Sequence, residues 1–135
     1  MSGRALSRRF LLWALIVVVV DQATKLAVHS ALPLNGPPLR ILGDLLRLTH
    51  IHNPGAAFGL FQGNRWFFMG VSILSMLVLV FLARDDRYRD RWMTTAFGLI
   101  FGGALGNLID RIWLGVVVDF VQMGVAGHYL SLIHI

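Results

Sequence analysis

Three apolar segments, over residues 10–32, 66–83 and 92–109, limit what this chain can fold into. Each is close to the roughly 20 residues that cross a hydrocarbon core about 30 Å thick, and in hydrocarbon a lone segment satisfies its own backbone only as a helix. Composition agrees: the chain is 56% hydrophobic and 14% charged, against about 45–50% apolar and about 25% charged in soluble domains. The expectation is one membrane domain, residues 1–135, with three transmembrane helices. There is no cysteine, which removes disulfides, thiol nucleophiles and thiolate metal sites from the available chemistry.

The arginines set the orientation. Arg4, Arg8 and Arg9 precede the first span, and Arg84, Arg87, Arg89 and Arg91 fill the loop between the second and third, so both regions are assigned to the cytoplasmic side. The connection over residues 33–65 then lies outside. Trp66 and Trp92 open their spans and Trp113 follows the third, where indoles commonly anchor at headgroup level. The basic residues crowd between apolar runs, which is a topological pattern, and no nucleic-acid partner is expected. An Arg-rich start, an apolar core over residues 11–20 and small residues near Ser30 also fit a cleavable signal peptide. Asp21 and Lys25 argue against that rival, because on a continuing helix their four-residue spacing puts them on one face within pairing reach.

Ionisable groups near hydrocarbon cost several kcal/mol unless paired, hydrated or functional. Asp21 falls about 16 Å along the first span, and Asp110 about 27 Å beyond Trp92, so both belong to the outer half. Asn107, Asp110 and Arg111 share a helical face at spacings of three and four. Two readings stand: a working cluster, or a structural one in which Arg111 neutralises Asp110 and caps the helix, leaving a poor general acid. Asp119 follows Val116-Val117-Val118 and precedes Phe120. Apolar sequence neighbours and no adjacent cation disfavour its charged form and suit acid–base work, while the plainer reading is a charge exposed as the chain enters water.

The outer connection shows strand-like alternation, with Arg47, Thr49 and Ile51 on one side and Leu48, His50 and His52 on the other. A small sheet at the membrane surface is expected, making the fold an all-α membrane protein with a small extracytoplasmic β element. His50 and His52 would share a strand face, but without a third ligand nearby no metal site is expected. Asn53-Pro-Gly-Ala-Ala-Phe-Gly59 reads as a tight turn whose small residues allow close backbone approach.

Asp21-Gln-Ala-Thr-Lys25, Asn53-Pro-Gly-Ala-Ala-Phe58, Gly106-Asn-Leu-Ile-Asp-Arg111 and Val117-Val-Asp-Phe120 together resemble the successive motifs of lipoprotein signal peptidase, or signal peptidase II. The resemblance covers about residues 9–129. It implies a membrane aspartic peptidase of the bacterial cytoplasmic (inner) membrane, with its N-terminus cytoplasmic and its site extracytoplasmic, cutting diacylglyceryl-modified prolipoproteins before the lipid-modified cysteine. It implies no cofactor, contact with membrane lipid, and a monomer. By the same resemblance Asp119 is the first catalytic aspartate, Asp110 the fallback, and Asp21, Lys25, Asn53, Asn107, Asp110 and Arg111 are supporting or substrate-binding residues.

The sequence departs from the family pattern at its end. Members carry an Asn-x-Ala-Asp motif with the second catalytic aspartate and then a fourth transmembrane helix; here no carboxylate follows Asp119. A carboxylate pair sharing one proton needs both members, so the 135 residues are expected to be inactive as written. Residues 130–135, Leu-Ser-Leu-Ile-His-Ile, resemble a translated transposon end used in sequencing libraries, and native sequence is expected to stop near Tyr129. Without the resemblance, the intramembrane charges would also fit an ion or proton transporter subunit, and a noncatalytic membrane anchor is the blandest alternative.

Overall fold

The computed structural model describes residues 5–54, 63–125 and 128–131. Residues 55–59 of the expected tight turn and residues 132–135 of the expected non-native tail lie outside the described residues. Three helices, α1 (Arg8–Ala31), α2 (Arg65–Ala83) and α3 (Arg91–Trp113), are long and apolar enough to cross a membrane. A side-chain oxygen begins each of them. The Ser7 hydroxyl accepts the Phe10 amide at 3.1 Å, Asn64 accepts Phe67 at 3.1 Å, and Asp90 accepts Trp92 and Met93 at 2.8 and 3.1 Å. Each such cap is worth about 1 kcal/mol of helix stability.

Helices α1 and α3 pack through glycine. A Cβ added at Gly98 would lie 2.7 Å from the Phe10 carbonyl oxygen, one at Gly102 would lie 2.7 Å from that of Ala14, and one at Gly106 would fall on the Asp21 carboxylate. The four-residue repeat keeps all three on one face, so the backbones meet over two turns, as small residues permit between membrane helices. The buried residues of α1, Phe10, Ala14, Lys25 and Val28, follow the same seam. Phe10 closes one end of it against Phe101, with ring centroids 5.3 Å apart.

The β element is larger than the sequence reading. It is a four-stranded antiparallel sheet in the order β1 (Leu39–Leu42), β2 (Leu46–Asn53), β3 (Val117–Val125), β4 (His128–Ser131). The third helix runs past the apolar segment to Trp113, so Asn107, Asp110 and Arg111 all lie within it. Leu114 and Gly115 then donate to the Asp110 and Arg111 carbonyls at 2.7 and 3.2 Å, and Gly115 takes φ +77°. A left-handed residue just past a helix reverses the chain, and glycine does so without a Cβ penalty. The valines that precede Asp119 therefore turn back as a strand, with Val117 and Val118 buried. The alternation expected along β2 holds only to Thr49: Leu48 pairs with Val121 but Ile51 with Asp119, so Thr49 and His50 together face one residue of β3. That bulge buries Thr49 and His50 in succession.

Candidate active site

Asp119 lies in β3 and is 1% exposed. Its strand neighbour in register is Ile51, and Asn53, two residues further along β2, donates its side-chain amide to Asp119 Oδ2 at 3.0 Å. Antiparallel pairing therefore brings together two residues 66 positions apart in the chain. The plainer reading, a charge exposed as the chain enters water, is set aside by this burial, and the carboxyl lies in an enclosed setting beside the β2 strand.

One residue away, a charged network ties the strand to both helices. Lys25 Nζ reaches Asp110 Oδ2 at 2.7 Å, Asp21 Oδ2 at 2.9 Å and Asn107 Oδ1 at 3.1 Å. These contacts use all three protons of the ammonium. Gln22 Nε2 lies 3.1 Å from Asp110 Oδ1, 3.0 Å from Asp21 Oδ2 and 3.2 Å from the Gly106 carbonyl oxygen. Asp110 Oδ2 also accepts the backbone N–H of Val118 at 3.1 Å. Asp110 thus holds the strand by the residue next to Asp119, and its own charge is met by Lys25.

The expected pairing of Asp110 with Arg111 is replaced by this cross-helix arrangement. Residues 110 and 111 are adjacent on a helix and diverge by about 100°, so the two heads leave on different sides. The Arg111 guanidinium lies over the Phe68 ring of α2, 5.3 Å from its centroid, and Nη1 donates to the Asn107 carbonyl oxygen at 3.5 Å. Asn107 itself faces Lys25, so the face shared by Asn107, Asp110 and Arg111 is divided between α1 and α2.

On the other side of Asn53, β2 carries His50 and His52, whose rings stack edge to face with centroids 5.4 Å apart. Burial pushes the His52 imidazole below its ordinary range, His50 and His29 push the same way, and Asp110 opposes them. Among the described residues, no group of three or more His, Cys, Asp or Glu side chains could hold a metal ion.

The family model of signal peptidase (SPase) II matches residues 13–133. The chain belongs to the signal peptidase II family. The lipoprotein signal peptidase of Symbiobacterium thermophilum is 41% identical over 108 residues, covering 80% of this chain and 70% of that protein. That of Desulforapulum autotrophicum is 38% identical over 134 residues, covering 96% and 82%. A solved bacterial membrane enzyme superposes with a TM-score of 0.79 at 34% identity, over 88% of this chain and 72% of the other. As a signal peptidase II family member the chain is a peptidase, and the motifs that carried the resemblance do converge: Asp21, Lys25, Asn107 and Asp110 in one network, Asn53 and Asp119 in another, joined through Val118. Sequence reasoning passed over Gln22 and Gly106. The available signal was the position of Gln22 between Asp21 and Lys25, and the spacing of Gly98, Gly102 and Gly106.

Proposed function

We propose that this chain is an aspartic endopeptidase that removes signal peptides from diacylglyceryl-modified prolipoproteins, cutting before the lipid-modified cysteine. The observation that carries the reading is the buried Asp119 carboxylate held by Asn53 in a chain of the signal peptidase II family. In this mechanism Asp119 is one of two carboxylates. Two such groups about 3 Å apart share a proton, so one polarises the scissile carbonyl while the other takes a proton from water. Asn53 orients Asp119, Arg111 and Asn107 contact the substrate backbone, and Asp21, Lys25 and Asp110 hold the strand. Asp110 is a poor alternative base because its two oxygens already accept from Lys25, Gln22 and Val118. The membrane is the bacterial inner membrane, the N-terminus is cytoplasmic, the site is extracytoplasmic, and the chain acts as a monomer in contact with lipid.

No carboxylate follows Asp119 within these 135 residues, so the polypeptide 1–135 is expected to bind lipopeptide without turning it over. A chimera continuing from Val125 into the C-terminal part of the Symbiobacterium relative is expected to cleave a diacylglyceryl prolipoprotein. Asp119→Asn should slow that cleavage by about 10³-fold or more, as loss of a central catalytic group does. Cleavage that survives Asp119→Asn refutes the assignment. The Lys25–Asp21–Asp110 cluster, in which Lys25 and Asp110 are buried, is the observation that favours an ion or proton transporter subunit. Proton flux into liposomes that depends on Asp21 and not on Asp119 would select that reading.

A further inference from the structure

Gln22 reaches α3 from the same turn of α1 that carries Asp21 and Lys25. The helices are close at this level, since a Cβ on Gly106 would fall on the Asp21 carboxylate. The half-buried Gln22 can therefore lay its amide along a single turn of α3. Its nitrogen is 3.2 Å from the Gly106 carbonyl oxygen, 3.1 Å from Asp110 Oδ1 and 3.0 Å from Asp21 Oδ2 on its own helix. A carbonyl oxygen and an ionised carboxylate only accept, which turns the NH2 end of the amide toward all of them. Gly106 and Asp110 lie four residues apart on one face of α3, so the amide is braced on the helix backbone as well as on the carboxylate.

What Gln22 adds to Asp110 is direction. The last torsion of an aspartate is broad and roughly two-fold, so one cation does not fix the plane of its carboxylate. Here the two oxygens are held separately. Oδ2 accepts from Lys25 at 2.7 Å and from the Val118 backbone at 3.1 Å, while Oδ1 accepts from Gln22 alone among the described residues. Asp110 is 4% exposed, and a buried carboxylate oxygen without a donor is costly. With both oxygens fixed, Oδ2 is aimed at the amide of the residue before Asp119. Val118 and Asp119 pair in register with His52 and Ile51 of β2, and Asn53 closes on Asp119 Oδ2 at 3.0 Å. A continuous run of contacts and backbone therefore leads from Gln22 through Asp110 and Val118 to Asp119.

Resting on the peptidase reading above, we propose that Gln22 is a positioning residue for Asp119, acting through Asp110: it fixes the plane of the Asp110 carboxylate, which seats Val118 and with it the point on β3 from which Asp119 projects. Loss of the Gln22 donor leaves Lys25 in place to compensate the charge and removes the aim of Oδ2. The effect belongs to the geometry at Val118 and Asp119, not to the packing of the α1–α3 seam.

The test reads amide hydrogen exchange by NMR in the full chain, held in phosphatidylethanolamine–phosphatidylglycerol nanodiscs. Gln22→Met keeps the bulk and drops the donor, and the Val118 amide is then expected to exchange about tenfold faster, as weakening of one protecting hydrogen bond allows. The Gly124 amide donates to the Leu45 carbonyl at 3.0 Å elsewhere in the sheet and should change less than about threefold. The side-chain amide signal of Asn53 should shift, because its acceptor on Asp119 moves. Gln22→Asn keeps a polar group in the seam but withdraws the amide by about 1.5 Å; it should act alike at Val118, and it decides the matter if Gln22→Met does not fold. On Asp110→Ala, where Lys25 retains Asp21, Gln22→Met should alter Val118 exchange by less than about twofold, since the path is already cut. Equal acceleration at Val118 and Gly124, an unmoved Asn53 signal, or an undiminished effect of Gln22→Met on Asp110→Ala each overturns the proposal. The chimera joined at Val125 separates it from the peptidase reading. There Gln22→Met is expected to lower kcat about tenfold or more with KM within about twofold, the pattern of a misplaced catalytic group, and an unchanged kcat overturns the positioning role alone. A chimera that cleaves nothing while Val118 exchange responds as expected upholds Gln22 as the residue that places Asp119 and defeats the peptidase reading alone.

Discussion

A carboxylate's neighbours decide whether it reacts or holds, and Asp110 and Asp119 divide those roles across nine positions of the chain. Asp110 is 4% exposed and Lys25 is 5% exposed, so each is buried with the other as its compensating charge. Removing one member of a buried pair typically costs about 3–5 kcal/mol, because the remaining charge is stranded. Lys25→Met is expected to cost that much in thermal unfolding of the lipid-reconstituted chain, since Asp21 and Asp110 would face each other without their cation. Adding Asp110→Asn should recover part of the loss. A Lys25→Met variant within about 0.5 kcal/mol of the parent, the range of ordinary surface changes, would contradict the network. The Asp21–Lys25 proximity was legible from spacing alone, because four residues is one helical turn. The choice of Lys25 over Arg111 as the partner of Asp110 was not, because it depends on how closely α1 approaches α3.

That approach belongs to the scale of the element. Gly98, Gly102 and Gly106 are visible in the sequence as a four-residue repeat, but a repeat does not say which helix fills it. The structure assigns α1, and with it the depth at which Asp21 enters. Gly102→Ala puts a methyl group 2.7 Å from the Ala14 carbonyl oxygen and 2.7 Å from Val17 Cβ, and is expected to cost about 1–3 kcal/mol by overpacking. Gly70 of α2 supplies the control, because nothing lies within 4 Å of its added Cβ. There, alanine should be neutral or stabilising by up to about 1 kcal/mol through helix propensity. Equal melting of Gly102→Ala and Gly70→Ala would show that the α1–α3 contact is looser than the glycine seam indicates. The strand β3 was the element least legible in the sequence. Its valines have strong β propensity, but their pairing partner is β2, some 65 to 75 residues earlier, and a local reading sees only the end of an apolar segment.

At the scale of the whole molecule, the two ends differ in chemistry. The start of α1, the end of α2 and the start of α3 share one end, with Arg8, Arg9, Arg84, Arg87, Arg89 and Arg91; the sheet and the buried aspartates occupy the other, where α1 and α3 finish. Short arginine-rich segments are retained in the cytoplasm, so the orientation we propose turns the sheet outward. The absence of cysteine makes this directly measurable, since any introduced thiol is the only one in the chain. Leu42 on β1 is 60% exposed, and Arg89 sits in the loop between α2 and α3. A membrane-impermeant maleimide is expected to label Leu42→Cys in intact cells and Arg89→Cys only after the membrane is opened. The reverse pattern would put the sheet in the cytoplasm and make the arginine bias an unreliable guide for this chain. Labelling of both in intact cells would mean mixed insertion, and neutralising Arg87 and Arg89 together should then increase the inverted share, because topology responds to the local count of Lys and Arg. Orientation matters to the chemistry because the apolar seam fixes Asp119 at one end only, so inverting the helices moves the proposed site to the opposite face of the membrane without changing any contact within it.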